Sequence, residues 1–163
     1  MNTIGPCLWF DSQAEEAANF YVSVFKNSRI LEVTHYPQEV HRPKGSVLTV
    51  RFVLDGQEFM ALNGGPHFTF TPAVSFVVNC ATQAEVDYYW NTLQIDGKEV
   101  ECGWLTDRFG LSWQIVPEAM TAMLASPDAA ATQRAFAAML TMKKLDIALL
   151  EQAFKGESPQ HTP

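Results

Sequence analysis

The sequence predicts an α+β protein of two β-α-β-β-β modules, each forming a cupped, mainly antiparallel mixed sheet, with a helical extension at the C-terminal end. Three observations predict this fold. A short apolar strand followed by a capped amphipathic helix occurs twice, and the two helix caps lie 70 residues apart. Runs with the alternation typical of strands follow each helix. An Ala-rich helical pattern begins at Glu118 and has no counterpart in the repeat.

The first module begins with the apolar strand CLWF at 7–10. Ser12 and Glu15 then have the spacing of a capping box, in which each side chain bonds a backbone N–H near the helix start. The apolar stripe of a helix follows at Ala17, Tyr21, Val24 and Phe25. Asp55-Gly56 is a hairpin turn signal. It separates the last two of three further predicted strands, which cover 29–36, 46–56 and 57–65.

The second module repeats this plan in a shortened form. A strand is predicted at 73–80, and Thr82 and Glu85 repeat the capping-box spacing. The helical stripe comprises Val86, Tyr89, Trp90 and Leu93. Two strands follow at 98–107 and 111–117, with a turn at Arg108-Phe109-Gly110 between them. The middle strand of this copy has no clear boundary in the sequence.

The predicted organisation is therefore a pair of modules within 1–117, at about 1–65 and 72–117, followed by a helical extension at 118–155. Ser126-Pro127 is expected to start a helix, with Ser126 as its N-cap and Pro127 in the first helical position. A last amphipathic helix should end at Gly156. We expect the extension to cover a sheet edge or a partner subunit, and the tail at 156–163 to be flexible.

Composition excludes several classes of protein. With 47% hydrophobic and 18% charged residues, the chain suits a compact globule. A net charge of -7 and a pI near 5.0 argue against nucleic-acid binding, which requires clustered Lys and Arg. No apolar run approaches the roughly 20 residues of a membrane helix, and the N-terminus resembles no secretory signal. Three cysteines without CxxC spacing are expected to be reduced thiols in a cytoplasmic protein.

The two modules, together with the Phe20-Tyr21 pair, resemble the vicinal oxygen chelate superfamily of glyoxalase I, fosfomycin resistance proteins and extradiol dioxygenases. Four segments are similar to its PhnB-like branch, which carries the label "3-demethylubiquinone-9 3-methyltransferase": PCLWFD, FMALNGGP, CGWLTDRFGLSWQIVP and MLTMKKLDIALLEQAF. The resemblance covers nearly the whole chain and implies a homodimer. The residues give the methyltransferase label no support, because no glycine-rich strand-turn-helix for S-adenosylmethionine is present.

Metal-dependent members of that superfamily place one His, Glu or Gln ligand at each of four strand positions. On this chain the resemblance puts the first at Ile4 or Pro6, the second at Ala61, the third at Ala73 or, if the register slips, Ser75, and the fourth at Gln114. Ile, Pro and Ala have no donor atom, and one neutral amide cannot hold a divalent cation. We therefore expect no metal and no other cofactor, although Asp107 and Asn63 leave a shifted metal site open.

The resemblance also implies that the inner faces of the sheets enclose a cavity. Because side chains alternate between faces, a Gln114 that faces the cavity brings Ser112 with it. The predicted small-molecule pocket has apolar walls and a few polar points. Its candidates are Leu8, Phe10, Thr49, Arg51, Phe59, Asn63, Ser75, Ser112 and Gln114. Arg51 is either the anchor of an anionic ligand or the partner of a nearby carboxylate.

Three functions remain open at this point. The preferred one is a metal-independent protein that binds a small organic or anionic molecule, with or without a reaction of unassigned type. The second is a divalent-metal-dependent lyase, isomerase or dioxygenase of the same superfamily. The third is a dimeric structural or interaction protein without a substrate site. A ligand cavity distinguishes the first from the third, and a metal bound by Gln114 distinguishes the second.

Overall fold

The computed structural model describes residues 4–157 and divides into two compact units, with the boundary between Phe70 and Thr71. The predicted α+β class is confirmed, since each unit contains a four-stranded mixed sheet and helices follow in the C-terminal part. Of the predicted flexible tail at 156–163, residues 158–163 lie outside the described part of the chain.

The first unit has the predicted order of one strand, one helix and three strands. Its elements are β1 (Cys7–Phe10), α1 (Ala14–Val24), β2 (Arg29–His35), β3 (Val47–Leu54) and β4 (Gln57–Asn63). The strands lie in the order β1-β4-β3-β2, with β1 parallel to β4 and the other pairs antiparallel. The helix α1 covers one face of this sheet, where Tyr21 stacks on Phe52 with 6.4 Å between ring centroids.

The hairpin between β3 and β4 turns at the two predicted residues. Asp55 and Gly56 both have positive φ, 44° and 83°, as the tight turns that connect twisted strands require. This turn pairs Leu54 with Gln57 and therefore sets the register of the whole hairpin.

The start of α1 differs from the predicted capping box at Ser12 and Glu15. The N-cap is Gln13, and its side chain makes no capping hydrogen bond. The cap comes instead from another strand, because the Ala14 N–H donates to Asn63 Oδ1 at 2.8 Å. Since β4 runs parallel to β1 and ends beside the helix start, Asn63 is placed to accept this bond, and its Nδ2 donates to Val47 O.

The second unit repeats the order with much shorter middle strands. Its elements are β5 (Ser75–Cys80), α2 (Gln83–Leu93), β6 (Lys98–Glu99), β7 (Trp104–Thr106) and β8 (Ser112–Pro117), with strand order β5-β8-β7-β6. The predicted strand at 98–107 is wrong as one element. It forms two strands because Cys102 and Gly103 have positive φ, 60° and 82°, and the chain turns there.

The capping box of α2 is confirmed. The Glu85 N–H donates to Thr82 Oγ1 at 3.2 Å, and the Glu85 carboxylate accepts from the Ala81 N–H at 2.8 Å. The turn before β8 is also confirmed. The Gly110 N–H bonds Asp107 O, and Gly110 has a φ of 87° that favours glycine.

The C-terminal extension belongs to the second unit and contains α3 (Glu118–Leu124), α4 (Ala129–Met139) and α5 (Ile147–Lys155). Helix α4 begins later than predicted. Its N-cap is Asp128 rather than Ser126, because the Asp128 carboxylate accepts from the Ala131 N–H at 3.0 Å. The predicted end of the last helix is confirmed, since Gly156 adopts the left-handed conformation directly after Lys155.

The segment before α5 accepts hydrogen bonds from backbone N–H groups that lie just before β7. The N–H groups of Cys102 and Gly103 donate to the carbonyls of Met142 and Lys143, each at 2.7 Å. Leu145 is 1% exposed and packs in a cluster with Met120, Met123, Ala135 and Leu150. The extension therefore supplies hydrogen bonds to the module that precedes it, and Leu145 anchors the bonding segment in the extension's own apolar cluster.

Helix α2 is also joined to the extension by polar side chains. Gln83 donates from Nε2 to Leu145 O and accepts at Oε1 from the Ile147 N–H. Lys144 Nζ lies 2.7 Å from Asp87 Oδ1. This hydrogen bond, together with one from Gln83, lowers the pKa of the Asp87 carboxyl. Within residues 4–157, no helix is both long and apolar enough to cross a membrane.

Candidate functional site

Each sheet has one face that packs on its helix and one face opposite that helix, which we call the far face. In the first unit, the far face carries the odd-numbered side chains of β3 and the even-numbered side chains of β4, because Arg51 lies opposite Met60 in the register. Cys7 pairs with Met60 and joins the same face. In the second unit, Ser75 pairs with Ser112 and Val77 with Gln114.

The predicted facing is wrong for four pocket candidates in the first unit. Phe52 lies under α1, and Phe59 is its direct partner in the antiparallel register, with ring centroids 5.4 Å apart. Directly opposite residues point to the same face, so Phe59 packs under the helix. The same applies along the strands to Leu8, Phe10 and Asn63, which are at most 5% exposed. These four residues pack on the helix side of the sheet, and Phe59 also borders the cleft of the first unit.

The remaining candidates lie on far faces. Thr49 and Arg51 do so in the first unit, where Thr49 Oγ1 and Thr34 Oγ1 share a hydrogen bond. Ser75, Ser112 and Gln114 do so in the second unit. The structure therefore brings the first two together on one sheet and the other three together on the second sheet.

Arg51 is held by two carboxylates. Its Nε donates to Glu58 Oε1 at 2.9 Å, its Nη2 donates to the same oxygen, and its Nη1 donates to Glu32 Oε2 at 3.0 Å. These hydrogen bonds, the one from Glu58 first, raise the pKa of the Arg51 guanidinium. Of the two roles that the sequence left open for Arg51, pairing with nearby carboxylates is the one seen in this geometry.

A cleft of about 150 Å³ opens beside this ion pair. It is bounded by the chain entering β1 and by the neighbouring parts of β3 and β4. The lining residues are Gly5, Pro6, Cys7, Arg51, Glu58, Phe59 and Met60. The cleft thus combines apolar and sulfur-bearing walls with a single charged group of residues, the usual composition of a small-molecule site.

Cys7 contributes a neutral side chain to this cleft. Partial burial raises the pKa of its thiol, so the thiol stays protonated at neutral pH. Because the thiolate is the nucleophilic form, Cys7 serves as a wall rather than as an attacking group. The charge of the cleft is therefore set by Arg51 and its two carboxylate partners.

On the far face of the second unit, the groups around Gln114 are polar but uncharged. Gln114 donates from Nε2 to Ser75 Oγ at 2.9 Å, and the neighbouring Val77 is 52% exposed. The Gln114 amide oxygen accepts no hydrogen bond from the part of the chain that the structure describes. Gln114 is thus a neutral hydrogen-bonding group next to an apolar surface.

The side chains at the metal-ligand positions of the superfamily do not fit a chelated metal ion. Ala61 and Ala73 present methyl groups, and no group of three or more His, Cys, Asp and Glu side chains within residues 4–157 could hold an ion. The two residues that left a shifted site open have structural partners. Asn63 caps α1, and Asp107, which is 3% exposed, accepts from Trp113 Nε1 and the Leu111 N–H.

Sequence reasoning missed Glu58, Met60 and Cys7 as site residues. The signal for the first two was present in the Asp55-Gly56 turn. A two-residue turn sets Arg51 opposite Met60 and puts Glu58 on the same face, two residues away. Glu32 had no comparable signal, because β2 joins β3 through a long connection and its pairing contains register shifts.

The comparisons with known proteins agree on the fold. Residues 2–116 match the family model described as 3-demethylubiquinone-9 3-methyltransferase. A putative 3-demethylubiquinone-9 3-methyltransferase, PhnB protein, from Bacillus cereus is 37% identical, with a TM-score of 0.66 over 71% of this chain and 99% of that chain. No curated protein matches.

Two further structures are similar in fold alone. A protein from Pseudomonas aeruginosa is 21% identical, with a TM-score of 0.60 over 72% of this chain and 98% of that chain. The fosfomycin resistance protein FosX from Mesorhizobium loti is 12% identical, with a TM-score of 0.54 over 77% of this chain and 98% of that chain. At these identities the likeness carries no information about the reaction.

Proposed function

The chain belongs to the 3-demethylubiquinone-9 3-methyltransferase family, a PhnB-like branch of the vicinal oxygen chelate superfamily, and from this premise we propose that it binds a small organic molecule without a metal ion. The proposed site is the cleft of the first unit. A reaction on the bound molecule is left unassigned.

The observation that supports this proposal is the composition of the cleft. Pro6, Cys7 and Met60 give it apolar and polarizable walls, and Arg51 with Glu58 gives it one polar end. A cavity of about 150 Å³ is large enough for a benzene-sized molecule. Apolar walls supply affinity and a few polar groups fix the orientation of a ligand.

The proposal assigns no role to a bound metal. The residues that the resemblance puts at the second and third ligand positions, Ala61 and Ala73, have alkyl side chains that cannot donate an electron pair, and Ala61 lies on the helix-packed face of its sheet. Gln114 retains a donor atom at the fourth position, and in this proposal it forms part of the neutral far face of the second unit.

We do not propose methyl transfer as the activity, although the family description names a methyltransferase. S-adenosylmethionine is commonly bound at a glycine-rich turn between a parallel strand and a helix. The two sheets within residues 4–157 are four-stranded and mixed, with one parallel pair each. The described part of the chain therefore offers no support for that activity.

We further propose that the protein is a homodimer in the cytoplasm. Val74 and Val77 are 66% and 52% exposed beside the first strand of the second unit, and an exposed apolar surface of this kind favours a subunit contact. Three free cysteines are consistent with a reducing compartment. Light scattering during size-exclusion chromatography measures the mass directly, and a monomer at micromolar concentration would contradict the dimer.

The test of the binding proposal is a thermal-shift screen in EDTA with small neutral aromatic molecules such as benzyl alcohol. We expect a rise in Tm for the wild type that is lost in Cys7→Phe, because the larger side chain fills the cleft. Val77→Phe is the matched control, since it makes a similar addition at the first strand of the second unit.

Two results would overturn the proposal. One is an equal Tm rise in Cys7→Phe, which would place the ligand elsewhere. The other is stabilisation that requires Mn²⁺ and vanishes in Gln114→Ala, because that response would restore a metal-dependent site at Gln114.

A further inference from the structure

The charged groups at the cleft do not sum to zero. Arg51 contributes one positive charge, whereas Glu58 and Glu32 contribute two negative charges. The neighbouring Cys7 thiol is neutral, because burial raises its pKa. Arg51 and Glu58, which line the cleft, balance one another, and Glu32, which pairs with Arg51 from outside the lining, gives this ion-pair group a net charge of about −1 at neutral pH.

Glu58 can still accept hydrogen bonds, whereas the edge of the Arg51 guanidinium that faces Glu58 already donates to it. Both Nε and Nη2 of Arg51 donate to a single oxygen, Glu58 Oε1. The second oxygen, Glu58 Oε2, accepts no hydrogen bond from the described part of the chain. Since Glu58 lines the cleft, a bound molecule meets a free acceptor there. An anion that bonds the Nε and Nη2 edge of Arg51 would have to displace Glu58 from it.

Burial makes this acceptor more effective than a carboxylate on an open surface. The Glu58 side chain is 23% exposed, as is that of Arg51, whereas Glu32 is 53% exposed. Electrostatic attraction is stronger where water is partly excluded. The cleft is also lined by Pro6 and Met60, whose alkyl and thioether groups attract the apolar part of a cation.

From these contacts we infer that the ligand of the cleft is a small organic ammonium compound, whose N–H groups donate to Glu58 and whose apolar part contacts Pro6, Cys7 and Met60. This inference rests on the proposed function and names its class of ligand. It replaces the anionic ligand that the sequence suggested for Arg51. The cavity of about 150 Å³ limits the buried part to roughly the size of a benzene ring.

The experiment uses three probes of nearly equal size and different charge, namely benzylamine, benzyl alcohol and benzoate. Their affinities for the full-length protein are measured at pH 7 in EDTA by isothermal titration calorimetry. We expect benzylamine to bind about tenfold more tightly than benzyl alcohol, because a charged donor strengthens a hydrogen bond to a carboxylate. Benzoate should bind most weakly.

Two variants identify which carboxylate binds the ammonium group of benzylamine. Glu58→Gln should weaken benzylamine about tenfold and benzyl alcohol about threefold or less, since it removes the charge that attracts the ammonium group and keeps the shape of the side chain. Glu32→Gln is the matched control. It removes the same charge from the other side of Arg51, outside the cleft lining, and should weaken benzylamine about twofold or less. Circular dichroism verifies that both variants are folded.

The possible outcomes separate the inference from the function on which it rests. Equal binding of all three probes, or equal losses in the two variants, would overturn the ammonium inference and leave the small-molecule site intact. Benzoate as the tightest ligand, with binding lost in Arg51→Ala, would overturn it in favour of an anion site. Failure of every probe to bind would overturn both the inference and the proposed function.

Discussion

The two modules follow the same order of strands and helix but complete their sheets in different ways. In the first, β2 and β3 have 7 and 8 residues and hydrogen-bond to one another along most of their length. In the second, β6 and β7 have only 2 and 3 residues. There the N–H groups of Cys102 and Gly103 bond carbonyls of the C-terminal extension instead.

Because these bonds replace strand pairing, the extension is a structural part of the second module. The family model matches residues 2–116, so the segment that supports β7 lies outside the matched region, and so does MLTMKKLDIALLEQAF, one of the four segments whose sequence resembles the PhnB-like branch. A Cβ on Gly103 would lie 2.9 Å from Ile115 O and 3.1 Å from Leu145 Cδ1. The carbonyl of β8 and the positive φ of 82° favour glycine at this turn, and the Leu145 side chain of the extension packs close beside it.

The far faces differ as well. In the first module the far face holds the Glu32–Arg51–Glu58 group beside a cleft, whereas in the second the corresponding strands hold the neutral pair Gln114 and Ser75. The module that closes its own sheet thus carries the charged candidate site. The module that needs the extension carries Gln114, the one position of the four implied by the resemblance that keeps an amide donor.

The largest expected effect is on stability, in a variant that weakens the support of the second module. Leu145→Ala should lower the free energy of unfolding by about 3 kcal/mol, because it leaves a cavity in a fully buried cluster. Urea denaturation followed by tryptophan fluorescence measures this change. Leu149→Ala is the control in the same segment. Leu149 is 50% exposed, and its loss should cost less than about 0.5 kcal/mol.

Equal effects of the two leucine substitutions would contradict the structural role of the extension. In Leu145→Ala, the protection of backbone amides against hydrogen exchange should be lost only near the extension. Hydrogen exchange should accelerate at Cys102 and Gly103, whose N–H groups bond the segment just before Leu145, and remain unchanged in β2 and β3.

A smaller effect on stability is expected from substitutions at the N-termini of α1 and α2. Thr82→Ala should cost about 1 kcal/mol of stability, since it removes a side-chain cap from α2. Ser12→Ala, at the position where the sequence suggested the same cap, should cost less than about 0.3 kcal/mol, because Asn63 caps α1. Thermal unfolding of the two variants in the same buffer measures the contrast, and a larger loss for Ser12→Ala would mean that the cap assignment is wrong.

Much of the fold could be predicted because its signals are local. The strand and capping box before α2 use residues within a few positions of each other, and the Asp55-Gly56 turn determines its own conformation. The cap of α1 could not be predicted in this way, since Asn63 is 49 residues from Ala14. The break at Cys102 and Gly103 likewise depends on carbonyls about 40 residues later in the chain.

The faces of the strands at the candidate site were predicted in part, and the wrong facing of β4 has an identifiable cause. Arg51 was placed on the correct face because the alternating apolar residues of β3, Val50 and Phe52, identify the side that packs on a helix. The facing of Phe59 was taken from the metal position of relatives at Ala61. The hairpin register contradicts it, since Phe59 lies opposite Phe52. In a chain that lacks the metal ligands of its relatives, the hairpin register predicts which side chains pack on the helix better than an alignment to the metal positions does.

The central claim is that ligand binding takes place on the far face of the first module, without a metal, rather than at Gln114. The most direct measurement is an NMR titration with benzylamine in EDTA that follows the Met60 methyl group and the Gln114 side-chain amide in the same sample. The proposal predicts that the Met60 signal shifts with saturation and that the Gln114 signal does not move. Movement of the Gln114 amide with an unchanged Met60 methyl would contradict it.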